Sequence, residues 1–90
     1  MSVLIRFTPP SLAAEQYDEV VRRLYDEGIL PADGLDYEIC FGTEGNLRVS
    51  QVWDNQEHLE AFGQRLQPIL AEAGIDPGQP EIVPVHNIIK

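Results

Sequence analysis

The chain's only tryptophan, Trp53, ends the segment Leu47 to Trp53, and His58 follows five positions later. An indole at the end of a strand can wall a pocket and aim its N–H at a ligand; equally, it can close one end of a sheet as a core aromatic. His86 carries the side chain that titrates nearest neutrality, so it is the candidate for general acid or base, tuned by burial. It alternates with Ile88, which also fits a structural or interface histidine. Asn87 beside it can donate to a ligand or satisfy an edge backbone. Tyr37 and Arg48 face solvent or a pocket according to strand register. His58 falls at the third position of a helix, where it contacts a ligand or sits beside the cap. Tyr17 and Tyr25 read as helix packing and surface. His86 is thus the catalytic candidate, and Trp53, Tyr37, Asn87 and His58 are the ligand-binding candidates.

Other chemistries lack their residues. His58 and His86 have no His or Cys partner at ligand spacing, and Glu57 and His58 point to different helix faces, so no metal is expected. Gly42 and Gly45 lie between two strands, where they make a turn and not a phosphate cradle. No G-x-S-x-G elbow is present, and Cys40 sits mid-strand with nothing nearby to activate it. No cofactor is expected.

The elements that must position these residues are legible from periodicity. Val3 to Phe7 is a β-prone run stopped by Thr8-Pro9-Pro10. Ser11 is placed to N-cap a helix over residues 12–27, whose apolar stripe is Tyr17, Val20, Val21 and Leu24. Gly28 and Pro31 end it. Leu35, Tyr37, Ile39 and Phe41 alternate with Asp36, Glu38, Cys40 and Gly42, a half-buried strand. Gly42 to Asn46 reads as a hairpin loop of about five residues, returning along Leu47 to Trp53. Asn55 N-caps a second helix with the stripe Leu59, Phe62, Leu66, Ile69, Leu70 and Ala73, which Pro68 should kink or split. Gly74 caps its end. Glu81 to Ile89 is the last strand. The order βαββαβ predicts an α+β, ferredoxin-like fold in one domain spanning 1–90: a four-stranded antiparallel sheet, two helices on one face, strand order 4-1-3-2. Pro84 fits an edge strand.

Composition bounds the function. Ninety residues with 43% hydrophobic content suffice for one small core. The net charge of −9 (15 acidic against six basic residues) disfavours nucleic acid and anionic membrane surfaces as partners. No apolar run approaches the ~20 residues of a membrane span, and the N-terminus is better read as a strand than as a signal peptide. A lone cysteine fits a reducing, cytoplasmic setting. Both sheet faces carry apolar residues, although two helices cover only one. Leu4 opposes Val3, Ile5 and Phe7; Val52 opposes Val49 and Trp53; Val83, Val85 and Ile89 oppose Ile82 and Ile88. The uncovered face predicts a homodimer joined through its sheets.

With this topology, the segment V-W-D-x-x-E-x-x-x-x-F from Val52 to Phe62 resembles the dimeric α+β barrel superfamily, and within it small proteins of antibiotic-biosynthesis-monooxygenase type. Tyr17-Asp18-Glu19-Val20, Leu47-Arg48-Val49, Leu66, Pro68, Leu70 and Pro84-Val85-His86-Asn87 extend the likeness over nearly the whole chain. The resemblance implies a homodimer with a joint barrel and, in each protomer, a pocket between sheet and helices. Such relatives include cofactor-independent oxygenases of polycyclic phenols, haem-cleaving enzymes and isomerases. It carries the strand tryptophan over to Trp53. The oxygenases pair that tryptophan with an asparagine four residues earlier, where this chain has Val49. The haem-cleaving relatives use a helix histidine, where this chain reads Phe62-Gly63-Gln64. Look-alikes carry histidine at the position of Glu38.

Two functions are therefore expected. One is a cofactor-independent monooxygenase- or isomerase-like enzyme for a hydrophobic or aromatic metabolite. The other is a non-catalytic dimeric module that binds a small molecule or a protein.

Overall fold

A computed structural model describes all 90 residues, Met1–Lys90. The order is β1 (Val3–Phe7), α1 (Ala14–Asp26), β2 (Leu35–Thr43), β3 (Asn46–Trp53), α2 (Gln56–Glu72) and β4 (Glu81–Pro84). The strands form one antiparallel sheet, β2-β3-β1-β4, as the βαββαβ pattern predicts.

Alternation sends Val3 and Ile5 of β1 and Trp53 of β3 towards the helices. There they pack with Val20 and Leu24 of α1, Ile29, and Leu59, Phe62, Leu66 and Ile69 of α2. Each such side chain contributes about 1.5–3 kcal/mol on leaving water. Arg23 of α1 reaches Glu72 of α2 at 2.7 Å and ties the helices across their tops.

Both helices stop by the same device. At the end of α1, Gly28 donates its N–H to Tyr25 and Ile29 donates to Leu24; at the end of α2, Gly74 donates to Ala71 and Ile75 to Leu70. The glycines adopt φ of +72° and +71°, which admits the left-handed turn of a Schellman motif.

Five expectations need correction. Helix α1 starts at Ala14 with Ala13, not Ser11, as N-cap. Ser11 turns the chain at φ +61°, so two acceptors from elsewhere serve the helix N-terminus. Gln16 Oε1 accepts from Ala13 N, and Glu44 Oε1 from the hairpin accepts from Ala14 N. The hairpin turn is two residues, Glu44-Gly45, because Thr43 and Asn46 are already paired. Helix α2 runs unbroken through Pro68. Pro68 and Gln64 are both exposed, so water can serve the carbonyl that proline leaves without a donor. Strand β4 ends at Pro84, opposite Val3, with Val85 N–H donating to Ser2 O at 3.0 Å just beyond it; the proline nitrogen faces the open edge, where no donor is needed. Finally, a bulge between Leu35 and Tyr37 breaks the alternation of β2. Leu35 pairs with Trp53 and packs on the core, whereas Tyr37 pairs with Val52 on the opposite face.

That opposite face is uncovered. It carries Leu4, Tyr37, Ile39, Phe41, Val52 and Val83 by register. Ile39 is 50% exposed and Val83 39%. Phe41 lies between two guanidinium groups, Arg48 at 5.1 Å and Arg6 at 5.9 Å from its ring centre.

Candidate functional site

The same alternation that turns Ile39 and Phe41 outward turns Glu38 and Cys40 inward, under α1. Glu38 is directly opposite Gln51 of β3, and two positions on, Trp53 shares the face of Gln51. The three are chained to Tyr17 of α1 by hydrogen bonds. The Trp53 indole N–H donates to Gln51 Oε1 at 2.9 Å; Gln51 Nε2 donates to Glu38 Oε1 at 2.6 Å; the Tyr17 hydroxyl donates to Glu38 Oε2. Both oxygens of Glu38 thus accept a bond, and Gln51, only 2% exposed, uses both ends of its amide. No buried side-chain nitrogen or oxygen lacks a partner, as expected of a polar network worth keeping inside a small core.

This network floors a cleft between the sheet and both helices, of about 60 Å³, opening to solvent. Tyr17, Glu38 and Gln51 are its only polar side chains; the walls are apolar, with Leu12, Val20, Val49, Phe62 and Leu66 among them. Burial first, and then the bond to Glu38, pushes the Tyr17 hydroxyl far above its ordinary value. Tyr17 therefore stays protonated and holds the carboxylate as a donor. Burial also raises the Cys40 thiol, with Glu38 and Asp18 adding to the effect, which disfavours the thiolate form.

The residues singled out from sequence separate. Trp53 is fully buried, its ring 5.1 Å from that of Phe62. It supports the first cleft through Gln51 and lies, almost without exposed surface, behind the wall of a second one. His58 lines that second cleft. Its backbone N–H is capped by Asn55 Oδ1 at 2.8 Å, and its Nδ1 meets Asp54 Oδ1 at 2.7 Å. Tyr37 lies on the uncovered sheet face. His86 and Asn87 are exposed beyond the end of β4 and line neither cleft.

Glu38 and Gln51 escaped the sequence reading because they alternate with larger apolar residues and look like the wet side of a strand. Hairpin counting carried the missing signal. Outward from a two-residue Glu44-Gly45 turn, Glu38 falls opposite Gln51, and two facing polar residues two positions from a buried tryptophan mark a built network.

No known protein-family model matches the chain, and no curated protein sequence matches it. Solved structures do. SnoaB of Streptomyces nogalater, a cofactor-independent oxygenase, superposes with a TM-score of 0.63 at 15% identity, covering 98% of this chain and 94% of its own. A Deinococcus radiodurans protein proposed to be an antibiotic biosynthesis monooxygenase gives 0.61 at 14% identity, covering 100% and 97%. The protein YJCS gives 0.65 at 10% identity, covering 96% and 100%. The chain therefore has the ferredoxin-like α+β fold of these structures, which include proteins of antibiotic-biosynthesis-monooxygenase type.

Proposed function

We propose that the chain is a cofactor-independent enzyme of monooxygenase or isomerase type, in which Glu38 takes a proton from a small hydrophobic substrate held in the cleft between sheet and helices. One observation carries the reading: a carboxylate on the floor of an otherwise apolar cleft, oriented on one oxygen by Tyr17 and on the other by Gln51, itself anchored by Trp53. Such a group suits proton abstraction next to a carbonyl or from a phenol, with the apolar walls excluding water. The proton passes to Glu38 and the electron pair stays on the substrate as an enolate or phenolate. An isomerase returns the proton at another carbon. A monooxygenase lets the carbanion add to O₂; Glu38 returns its proton to the peroxide, and the hydroperoxide, losing the remaining hydrogen of that carbon together with hydroxide as water, leaves a new carbonyl.

Size narrows the substrate. Roughly 150 Å³ encloses a benzene ring, so a cleft of about 60 Å³ grips only the reacting edge of a molecule. A single ring fits better than a polycycle. The roles given to His86 and Asn87 from sequence pass to Glu38 and Gln51 in this reading, while Trp53 keeps its place as support. The uncovered face of the sheet completes the proposal: a second copy of the chain covers it.

The test has two arms. The first is hydrogen–deuterium exchange of a simple cyclic ketone followed by NMR; the second is quinone formation from a phenolic substrate under oxygen. Wild type is expected to catalyse at least one, and Glu38→Gln to lower the rate about 10²–10⁴-fold. Saturable binding of the ketone without exchange or oxidation would establish the non-catalytic binding module instead. Turnover unchanged in Glu38→Gln would place the chemistry elsewhere.

A further inference from the structure

The Glu38 cleft is smaller than a ring: about 60 Å³ against roughly 150 Å³ for benzene. Something that lines it must withdraw before a ring can enter whole. Val20, Phe62 and Leu66 cannot, because they belong to the core cluster and would unpack it. Leu12 can. It is 4% exposed and lines the cleft, yet it stands outside that cluster. The loop between β1 and α1 carries it, and between Pro10 and Gln16 no other residue is buried.

The loop holds Leu12 in place lightly. Residues 9–12 are tied by one hydrogen bond, in which Leu47 N–H donates to Leu12 O at 3.1 Å. Ser11 follows Pro10 and takes φ +61°, at a turn position that favours glycine. A serine there stores backbone strain that an outward swing releases. The two ends of the loop are fixed. Thr8 O lies so near Gly78 that a Cβ on that glycine would stand 3.1 Å from it. Where the loop enters α1, Glu44 Oε1 of the hairpin accepts from Ala14 N at 3.1 Å. Ile75, which also lines the cleft, lacks this freedom: it packs on the core and donates its N–H to Leu70.

We propose that Leu12 is the gate of the Glu38 cleft: it fills a substrate's place while the site is empty, and residues 10–12 swing outward between fixed ends to admit a single ring. The gate rests on the reading of this cleft as a substrate site, and it adds what limits entry and size. Burial of one leucine favours the closed form by roughly 10–100-fold. A ring of larger apolar area, taking the leucine's place, reverses that balance. The apparent affinity for the ring is lowered by the same factor.

The Leu47 amide reports the gate directly, because Leu12 O protects it only when the gate is shut. The full chain is titrated with 4-methylphenol and followed by NMR, through chemical shifts and amide hydrogen exchange, with no turnover required. Binding is expected to saturate at millimolar concentration. It should speed Leu47 exchange about tenfold or more, while the β3 amides bonded to β1 keep their protection. Leu12→Ala should bind the phenol about tenfold or more tightly, since the plug is gone; truncating an ordinary wall residue would weaken binding. Glu44→Ala changes an exposed side chain outside the cleft, so it tests the gate even if Leu12→Ala fails to fold. In the unliganded chain it should speed Leu47 exchange about two- to tenfold. Four results each overturn the gate: no saturable binding to wild type, binding with Leu47 still protected, binding unchanged or weakened in Leu12→Ala, and Leu47 exchange indifferent to Glu44→Ala. Ketone exchange that Glu38→Gln abolishes, in a chain that fails these tests, leaves the enzymatic reading standing without the gate. A chain that opens to the phenol and turns over neither substrate keeps the gate and loses the enzyme.

Discussion

The residue that joins most of this molecule is Gln51, not the tryptophan beside it. Its amide takes the Trp53 indole on one end and grips Glu38 with the other. Trp53→Phe therefore does two things: it removes ring volume from a fully buried position and leaves Gln51 Oε1 without a donor. A loss of about 2–4 kcal/mol in urea unfolding is expected, the cavity and the orphaned acceptor together. A residue-scale prediction also belongs to His58 and Asp54. Their mutual bond is the main cause that holds Asp54 below its ordinary 3.8 and His58 above its ordinary 6.5. The contribution of His58 is complete below pH 6.5 and fades as pH rises through its raised folded value. That of Asp54 is complete above pH 3.8 and fades as pH falls through its lowered folded value. Asp54→Asn should thus lower the melting temperature most between those limits and little in alkali. The His58 ring should titrate closer to 6.5 by NMR in the variant. Trp53 as a pocket-adjacent core aromatic was legible in the sequence, because only one residue of that size ends a strand. Glu38 was not, because burial of a charge depends on partners two elements away.

At the scale of elements, periodicity placed every helix and strand, and their ends gave way to local chemistry. Ala13 is an unpromising cap by type, and only tertiary structure brings Glu44 to Ala14. Pro68 shows the reverse, a strong local signal overridden. The apolar residues around it, Leu66, Ile69 and Leu70, anchor α2 to the core on both sides of the defect. Pro68→Ala should consequently stabilise the chain. It restores a donor to the carbonyl four residues back and removes a helix penalty of up to ~3 kcal/mol. Relief of the rigid proline in the unfolded chain offsets part of this. A rise in the urea midpoint of wild type to variant checks it; a fall would mean that the ring makes a packing contribution larger than the lost bond.

For the whole molecule, the uncovered sheet face sets the expectation. Soluble monomers rarely expose contiguous apolar patches beyond ~300–600 Å², and Tyr37, Ile39 and Val83 lie at 36, 50 and 39% exposure around the better-covered Val52. A face-to-face pair would need to bury roughly 1,200 Å² or more in total for stable association. Sedimentation of wild type at micromolar concentration should give a dimer, and Ile39→Lys a monomer with unchanged circular dichroism. A wild-type monomer would refute the association. The two-sided apolar pattern behind this was legible in Leu4, Val52 and Val83. The clefts were not, since they form where residues distant in sequence fail to fill space.

The bulge between Leu35 and Tyr37 has an evolutionary corollary. One extra residue in β2 decides which side chains of that strand meet the helices. Loss of the Asp36 codon, with the hairpin turn held in place, would set Leu35 next to Tyr37, regularise the ladder and keep both Leu35 and Glu38 inward. A one-codon change in the turn would instead invert the strand and send Tyr37, Ile39 and Phe41 under α1. Insertions and deletions of one residue, more than substitutions, are thus the steps by which a lineage with this fold could exchange a carboxylate floor for an aromatic one.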